Sequence, residues 1–364
     1  MRIDYLVLGT FLVLFTLRDA FVSILLPRTV KGSKRLSNRL TTALWKCFSF
    51  LVKPGTKNED QWLSIFGPLS IVVMITSWAL VLILGFGAIV LGTGVTLHGE
   101  LPTFGEAVYF SGVTFLTLGY GDMTLDGGLG HFLSVLEAGL GFGFLAILIS
   151  YVPVLYQSFS RREVLITLMD ARAGSPPSGG EMLLRFARHD DWDGLMDWLQ
   201  RWETWGAELL ETHLSYPTLV MYRSQHSDTS WLCAMTAVLD ACSLLLAAIP
   251  PDHSCSQARR QAHLTFAMCR HAVVDLSQIF DVRPDERDGR LSREEFRDFV
   301  ASMGDKGMVF SDGDKAWKTL SDKRAMYEPY VAALSQRFRM RLPAWTHDPR
   351  EKDNWQTSAF DRHV

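Results

Sequence analysis

The chain has 364 residues, of which 48% are hydrophobic, and its formal net charge is −3. This length leaves room for two or more domains, and a pI of about 6.4 gives no indication of nucleic-acid binding. Residues 1–157 hold three long apolar runs, whereas residues 158–364 are rich in charge and tryptophan. The composition therefore predicts a membrane part followed by a globular part.

Three apolar runs each reach the roughly 20 residues that a helix needs to cross the hydrocarbon core of a membrane. They cover residues 3–26, 65–97 and 132–159. The first run contains Arg18 and Asp19, so a cleaved signal peptide is an alternative to a retained span or half-buried anchor, although Pro27 and Arg28 follow it instead of a small-residue cleavage site. We expect residues 1–27 to form an N-terminal membrane helix.

Basic residues are distributed unevenly between the runs, which predicts the orientation of the chain. Eight of them lie between the first two runs: Arg28, Lys31, Lys34, Arg35, Arg39, Lys46, Lys53 and Lys57. Residues 98–130 contain no Lys or Arg. We therefore expect a multi-pass protein of the cell (plasma or inner) membrane with residues 98–130 outside, a cytoplasmic C-terminus and an extracytoplasmic N-terminus.

The basic linker 28–60 also carries apolar residues at helical spacing. They are Leu36, Leu40, Leu44, Phe48 and Leu51, with basic residues between them. This pattern predicts a helix that lies in the membrane interface and contacts lipid. An ordinary amphipathic helix packed on protein is the alternative.

Residues 103–122 join the second and third runs by a route too short to cross the membrane twice as a helix. Pro102 and Glu106 are signals for a helix start, the apolar stretch 107–116 continues the helix, and Gly119 and Gly121 follow. Non-helical backbone at membrane depth is tolerated where it lines a water-filled path. The segment therefore predicts a half-helix that enters the membrane and an extended strand that returns.

The returning strand has the composition that a dehydrated cation requires. Backbone carbonyls can replace the water ligands of the ion if the strand turns them inward, and alternate residues must then adopt backbone angles that favour glycine, at Gly119 and Gly121. Thr117 can add its hydroxyl at the inner end. We expect Leu118 and Tyr120 to point away from the ion and to pack behind the strand.

The stretch 117–122 resembles the TVGYGD signature of potassium channels, with leucine in place of valine. The resemblance implies passive, K⁺-selective conduction, with K⁺ ions coordinated by Thr117, Leu118, Gly119, Tyr120 and Gly121 and cations attracted to the outer mouth by Asp122. Because one strand supplies too few ligands, it also implies a homotetramer, and an ion channel rather than an enzyme. Val113 stands where some members of the family have an acid, so inactivation that depends on that acid does not carry over.

The third run contains the features that a gate would use. Gly139, Gly141 and Gly143 lie in mid-helix, where they permit either close packing against the pore helix or bending of the inner helix, and Pro153 is expected to kink it. Glu137 is an ionisable residue within a span, and we expect it to face protein behind the filter. No run carries a basic residue at every third position, so we expect no voltage sensor.

Residues 161–180 are predicted to be a linker because 173–180 read AGSPPSGG. Beyond them, apolar residues at helical spacing predict a cytosolic helical domain over residues 181–364 that gates or assembles the channel through an unknown cytosolic ligand. Its tryptophans are interpreted as core residues, with an aromatic ligand site as the alternative. Residues 231–249 are interpreted as a buried helix, with a fourth span as the alternative, because Asp240 lies near their centre.

A loop around residues 284–295 resembles an EF-hand, with Glu286, Asp288 and Glu295 as candidate Ca²⁺ ligands. Pro284 stands at the first ligand position, and Arg287 and Arg290 add positive charge. We therefore favour a plain helix–loop–helix that is capped at Ser292, with Ca²⁺ binding as the alternative.

The sequence thus predicts an all-α protein. Residues 61–160 would form a pore domain of outer helix, re-entrant pore helix with filter, and inner helix, joined to an extra N-terminal membrane helix and the cytosolic domain. A potassium transporter subunit and a membrane-anchored signalling protein are the alternatives to a channel.

Overall fold

The fold was obtained as a computed structural model that describes residues 2–24, 36–56, 59–224, 229–250, 255–286, 289–304, 310–311, 313–346 and 353. These residues form helices and no β-strand, as the sequence predicts. The helices are α1 (Ile3–Ile24), α2 (Leu36–Leu51), α3 (Glu59–Thr93), α4 (Phe104–Phe115), α5 (Gly127–Ala173), α6 (Gly179–Ala187), α7 (Trp192–Ser215), a 3-10 helix (Pro217–Met221), α8 (Trp231–Ala247), α9 (Ser256–Ile279), α10 (Arg293–Gly304), α11 (Asp314–Arg324) and α12 (Glu328–Phe338).

The chain divides into two compact units, Met1–Gln157 and Ser158–Val364. The predicted linker 161–180 is wrong, because α5 continues to Ala173 and α6 begins at Gly179. The side chains of Leu165, Ile166 and Met169 are buried, so this part of α5 belongs to the second unit.

The turn between α5 and α6 is itself packed inside the second unit rather than free. Ser175 and Ser178 are buried, and the Ser175 N–H donates to the Asp353 carboxylate at 3.1 Å. A β-carbon on Gly179 would lie 2.6 Å from the backbone nitrogen of Ala241. The small residues that suggested a flexible linker are there because backbone segments approach each other closely.

Three helices of the first unit, α1, α3 and α5, are long and apolar enough to cross a membrane. The helix α1 runs antiparallel to α3, because Arg2 donates to the Gly92 carbonyl at 3.1 Å while Asp19 meets Trp78. A β-carbon on Gly9 would lie 2.4 Å from the Gly85 carbonyl oxygen. This backbone-to-backbone packing is typical of membrane helices with glycine at their contact, and it favours the interpretation of α1 as a retained span.

The acid inside the first apolar run has a partner in the next helix. The Trp78 indole N–H donates to Asp19 Oδ2 at 2.9 Å, and both residues are buried. A polar group in an apolar environment is costly unless it forms hydrogen bonds. The contact explains how a charged residue type can lie within α1.

The helix α2 packs on the start of α3 through aromatic side chains. The rings of Trp45 and Phe66 meet edge to face with centroids 4.9 Å apart, while Phe50 and Leu51 are exposed on the same helix. The helix therefore has both a protein-facing side and free apolar side chains, so the interfacial interpretation remains a prediction. Five of the basic residues that predicted the orientation lie outside the described residues: Arg28, Lys31, Lys34, Arg35 and Lys57.

The helix α8 forms the centre of the second unit, with residues 231–246 all buried. Asp240 on this helix receives hydrogen bonds from Arg290 at 2.6 and 3.0 Å and from the Tyr327 hydroxyl at 2.5 Å. Burial alone would lower the pKa of Arg290, but the Asp240 carboxylate outweighs it and raises that pKa, so we take the pair as charged. These contacts agree with the interpretation of α8 as a buried helix.

The tryptophans of α7 pack against one another in the core of the same unit. The rings of Trp198, Trp202 and Trp205 form successive edge-to-face pairs, and all three are buried. This agrees with the interpretation of these residues as core.

Arg162, near the end of α5, is buried in the second unit. Its guanidinium donates to the carbonyls of Leu219 at 2.9 Å and Tyr222 at 2.8 Å, and it faces His213 Nε2 at 3.4 Å. His213 Nδ1 lies 2.7 Å from the Leu209 carbonyl, so Nδ1 carries the proton and Nε2 accepts. Burial, with Arg162 alongside, lowers the pKa of His213 to about 3.

The buried neutral His213 predicts that the second unit loses stability in acid. Unfolding frees the imidazole to bind a proton with an ordinary pKa of about 6.5, so between pH 6.5 and 3 the unfolded state binds more protons, and stability falls by about 1.4 kcal/mol per pH unit. From pH 7 to 5 this contribution amounts to about 2 kcal/mol. Denaturant unfolding of the full chain, followed by tryptophan fluorescence, measures the change.

The matched variants are His213→Asn and His189→Asn, since His189 is exposed. We expect His213→Asn to be less stable at pH 7 but to lose about 2 kcal/mol less on acidification, while His189→Asn follows the wild type. Equal acid losses in all three proteins would show that His213 does not titrate on unfolding.

Candidate ion pathway

The half-helix predicted between the second and third runs is α4, and its start is capped. The Thr103 N–H donates to Glu106 Oε2 at 2.7 Å, and the Glu106 N–H donates to the Thr103 hydroxyl at 3.4 Å. This reciprocal pair is a capping box, which satisfies two of the free N–H groups at the first turn. Glu106 therefore fixes where the short helix begins.

At the C-terminal end of α4, the residues that follow the helix form backbone hydrogen bonds back to it. The N–H groups of Leu118 and Gly119 both donate to the Val113 carbonyl, at 2.9 and 3.4 Å. In a trans peptide the N–H points opposite to the carbonyl of the preceding residue. The carbonyls of Thr117 and Leu118 are therefore turned away from α4.

Backbone angles alternate along the segment that follows α4. The φ values of Thr117, Gly119 and Gly121 are 56°, 57° and 75°, which lie in the left-handed region. Glycine adopts these angles without a steric cost, as the sequence predicts for Gly119 and Gly121. Thr117 is a β-branched residue in the same region, which is a strained position that sequence reasoning did not predict.

The side chains of the 117–122 segment have little cover from their own chain. Tyr120 is 67% exposed and Leu118 is 51% exposed. Both side chains are thus more than half exposed among the described residues of one chain, where the prediction that they pack behind the strand is not met.

Asp122 is held at its side chain and at its backbone. The Tyr109 hydroxyl donates to Asp122 Oδ2 at 2.8 Å, and His98 Nε2 lies 2.9 Å from the Asp122 carbonyl oxygen. A carbonyl only accepts, so Nε2 carries the proton. Neither partner was predicted, because both contacts join residues that are more than ten positions apart.

His98 lies in a tight turn, and this turn is hydrogen-bonded to Asp126, just before α5. Leu97 and Glu100 exchange backbone hydrogen bonds of 2.8 and 3.1 Å, and His98 and Gly99 both have positive φ, as a type I′ turn requires. Asp126 Oδ2 accepts from the Gly99 N–H at 2.7 Å and from the Thr96 hydroxyl at 2.8 Å. The Gly99 and Thr96 bonds lower the pKa of Asp126.

The three glycines in the middle of α5 differ in their surroundings. A β-carbon on Gly141 would lie 1.9 Å from the Phe115 carbonyl oxygen, whereas one on Gly139 or Gly143 would meet nothing within 4 Å of its own chain. Gly141 thus serves close packing against the end of α4, and its neighbours do not. Pro153 lies inside α5, which continues for twenty residues beyond it.

Glu137 lies one turn before Gly141 on α5 and is 1% exposed. Its Oε1 atom contacts the Ser111 hydroxyl on α4, and the same hydroxyl lies 2.8 Å from the Ile83 carbonyl on α3. Glu137 therefore faces protein beside α4, and Ser111 is a partner that sequence reasoning did not name.

The EF-hand-like loop uses its acidic residues differently from a calcium site. Glu295 Oε2 accepts from the Ser292 N–H at 2.6 Å, and the Glu295 N–H donates to the Ser292 hydroxyl at 3.2 Å, which forms a capping box at α10. Glu286 is exposed, and Asp288 lies outside the described residues. Within the part of the chain that the structure describes, no three His, Cys, Asp or Glu side chains form a group that could hold a metal.

The contact at Gly141 predicts that its replacement by alanine separates α4 from α5. The methyl group would overlap the Phe115 backbone, and overpacking of this kind costs about 1–3 kcal/mol or more. We expect Gly141→Ala to lower the thermal midpoint of the detergent-solubilised protein and to reduce ion flux. Gly139→Ala and Gly143→Ala are the controls, and a Gly141→Ala protein as stable and active as these two would contradict the packing.

Residues 69–157 match a family model that is described as Ion channel. The match covers about a quarter of the chain and includes most of α3, all of α4, the 117–122 segment and α5 as far as the end of the first unit. The curated proteins and the solved structures contain no significant match. The matched residues are those that build the described pathway, and they support an ion-channel pore within a multi-pass membrane protein.

Proposed function

We propose that the chain is a potassium-selective channel that conducts K⁺ passively through a homotetrameric pore. The observation that carries the proposal is the backbone of residues 117–121, named here the proposed filter. Left-handed backbone angles alternate at Thr117, Gly119 and Gly121, and the N–H groups that bond back to α4 turn the carbonyls of Thr117 and Leu118 away from that helix. Such oxygens can replace the hydration shell of a potassium ion.

The chemistry of the proposed filter depends on fixed oxygens rather than on charge. Carbonyls of Thr117, Leu118, Gly119, Tyr120 and Gly121 would coordinate K⁺, with the Thr117 hydroxyl at the inner end. Asp122, which Tyr109 and His98 hold at the end of the segment, would raise the local cation concentration at the mouth.

The helix α5 leaves most of its apolar surface uncovered within one chain, as a helix at a subunit or lipid contact does. Only 11% of the apolar window of α5 is buried, compared with 39% for α3. Exposed apolar side chains on α5 include Phe132, Val135, Phe142 and Ile149. Since one strand supplies few ligands, four copies around an axis would both complete the ion cage and cover this surface.

Substitutions within the proposed filter test the function. Gly119→Ala and Gly121→Ala place a β-carbon where φ is positive, which costs about 1–2 kcal/mol per residue and rotates the carbonyls. We expect at least a tenfold loss of K⁺ flux into liposomes or of the preference for K⁺ over Na⁺.

The control is Gly127→Ala, because Gly127 also has a positive φ, 73°, but lies outside the proposed filter. It carries a similar backbone strain and is expected to retain selectivity. Unchanged selectivity in all three variants would refute the assignment of the filter.

The second unit is proposed to act on the pore through α5, whose last part it holds at Arg162. Arg162→Met leaves the carbonyls of Leu219 and Tyr222 without this donor, and the buried Leu219 carbonyl alone then costs about 1–3 kcal/mol. We expect a changed open probability in planar bilayers with unchanged selectivity.

The neighbouring Arg161 provides a matched control, since it is exposed. Arg161→Met should behave as the wild type in open probability. An Arg162→Met protein that remains folded and opens like the wild type would contradict the proposed role of the second unit.

A further inference from the structure

Three helices of the membrane unit meet at a single hydroxyl group. Ser111 on α4 is fully buried, and its Oγ contacts both the Ile83 carbonyl of α3 and Oε1 of Glu137 on α5. The two partners lie on different helices, so the hydroxyl bridges the outer and inner helices through α4.

The hydrogen-bonding capacity of this group is limited. A serine hydroxyl has one proton and can also accept, whereas the Ile83 carbonyl can only accept. If the Glu137 carboxyl is protonated, it donates to the Ser111 oxygen and Ser111 donates to the Ile83 carbonyl. If the carboxyl is ionised, Ser111 donates to Glu137 instead. In both cases the buried Glu137 carboxyl group has Ser111 as its hydrogen-bond partner, whereas Ser111 keeps the Ile83 carbonyl as an acceptor whatever residue stands at position 137.

The Ser111–Glu137 contact lies one helical turn before the end of α4, close to the residues of the proposed filter. Ser111 and Phe115 are one turn apart on α4, and their partners Glu137 and Gly141 are one turn apart on α5. The Gly141 contact is non-directional packing, whereas the Ser111 contact is directional. Together they fix α4 both in distance from α5 and in position along it, two residues before Thr117 begins the proposed filter.

We propose that Ser111 is a positioning residue for ion selectivity, which acts by fastening α4 to α3 and, through Glu137, to α5. The proposal rests on the potassium-channel function proposed above. The role of Glu137 is then to offer a hydrogen-bonding atom to Ser111, not to supply an electrostatic field to the ion.

The test measures the Na⁺/K⁺ permeability ratio of tetramers reconstituted in planar bilayers. Ser111→Ala removes the bonds to both Ile83 and Glu137, and Glu137→Met removes only the link to α5. We expect each variant to raise the ratio about tenfold or more, because one lost buried hydrogen bond corresponds to about a tenfold change. Glu137→Gln keeps both an acceptor and a donor, and we expect it to stay within about twofold of the wild type.

Ser134→Ala is the matched control, because Ser134 lies on α5, the helix of Glu137, and its hydroxyl donates to the Gly130 carbonyl of that same helix. It should leave the ratio unchanged. The double variant Ser111→Ala with Glu137→Met should be no worse than Ser111→Ala alone, since that single variant already removes the contact with Glu137. Ser111→Cys, a near-isosteric and weaker donor, gives an intermediate ratio and serves if the alanine variant fails to assemble.

The outcomes separate the two proposals. A wild-type protein that does not prefer K⁺ would overturn the proposed function. If the wild type prefers K⁺ but Ser111→Ala, Ser111→Cys and Glu137→Met share its ratio, the positioning role is wrong. A Glu137→Gln protein as unselective as Glu137→Met would show that charge, not the hydrogen bond, is what position 137 contributes.

Discussion

The turn at the end of α4, where two N–H groups share the Val113 carbonyl, is the interaction on which the pathway depends. It satisfies a carbonyl at the end of a helix that would otherwise have no partner, and it fixes the direction of the peptide groups that follow. The left-handed angles at Thr117, Gly119 and Gly121 are compatible with that course only because two of the three residues are glycine. Proposed selectivity is therefore a property of backbone geometry, which the rest of the first unit holds in place.

The surrounding helices supply that support by close backbone contacts as well as by large buried side chains such as Trp78 and Phe66. Gly141 allows the end of α4 to approach α5 closely, and Gly9 and Gly85 allow α1 to lie against α3. In a membrane, where apolar side chains gain little by leaving lipid, such packing and a few buried hydrogen bonds are what holds helices together. The Asp19–Trp78 and Ser111–Glu137 contacts are polar links of this kind.

Much of this architecture was predictable because it depends on local pattern. Apolar run length predicted the three long helices, helical spacing predicted the second unit, and the glycine positions predicted the left-handed angles at 119 and 121. Pairings between distant residues were not predictable, such as Ser111 with Glu137, His98 with Asp122, and Arg162 with the carbonyls of the 3-10 helix. Residues 161–180 were misjudged because a run of glycine, serine and proline is equally suited to a flexible linker and to a tightly packed turn.

The reversal potential of the purified wild-type protein, with K⁺ on one side of a planar bilayer and Na⁺ on the other, tests the central claim most directly. The account predicts a value close to the equilibrium potential for potassium, because fixed carbonyl oxygens would replace the hydration shell of K⁺ better than that of Na⁺. A reversal potential near zero from an open, reconstituted channel would contradict it, since the backbone of residues 117–121 would then not act as a selective ion cage.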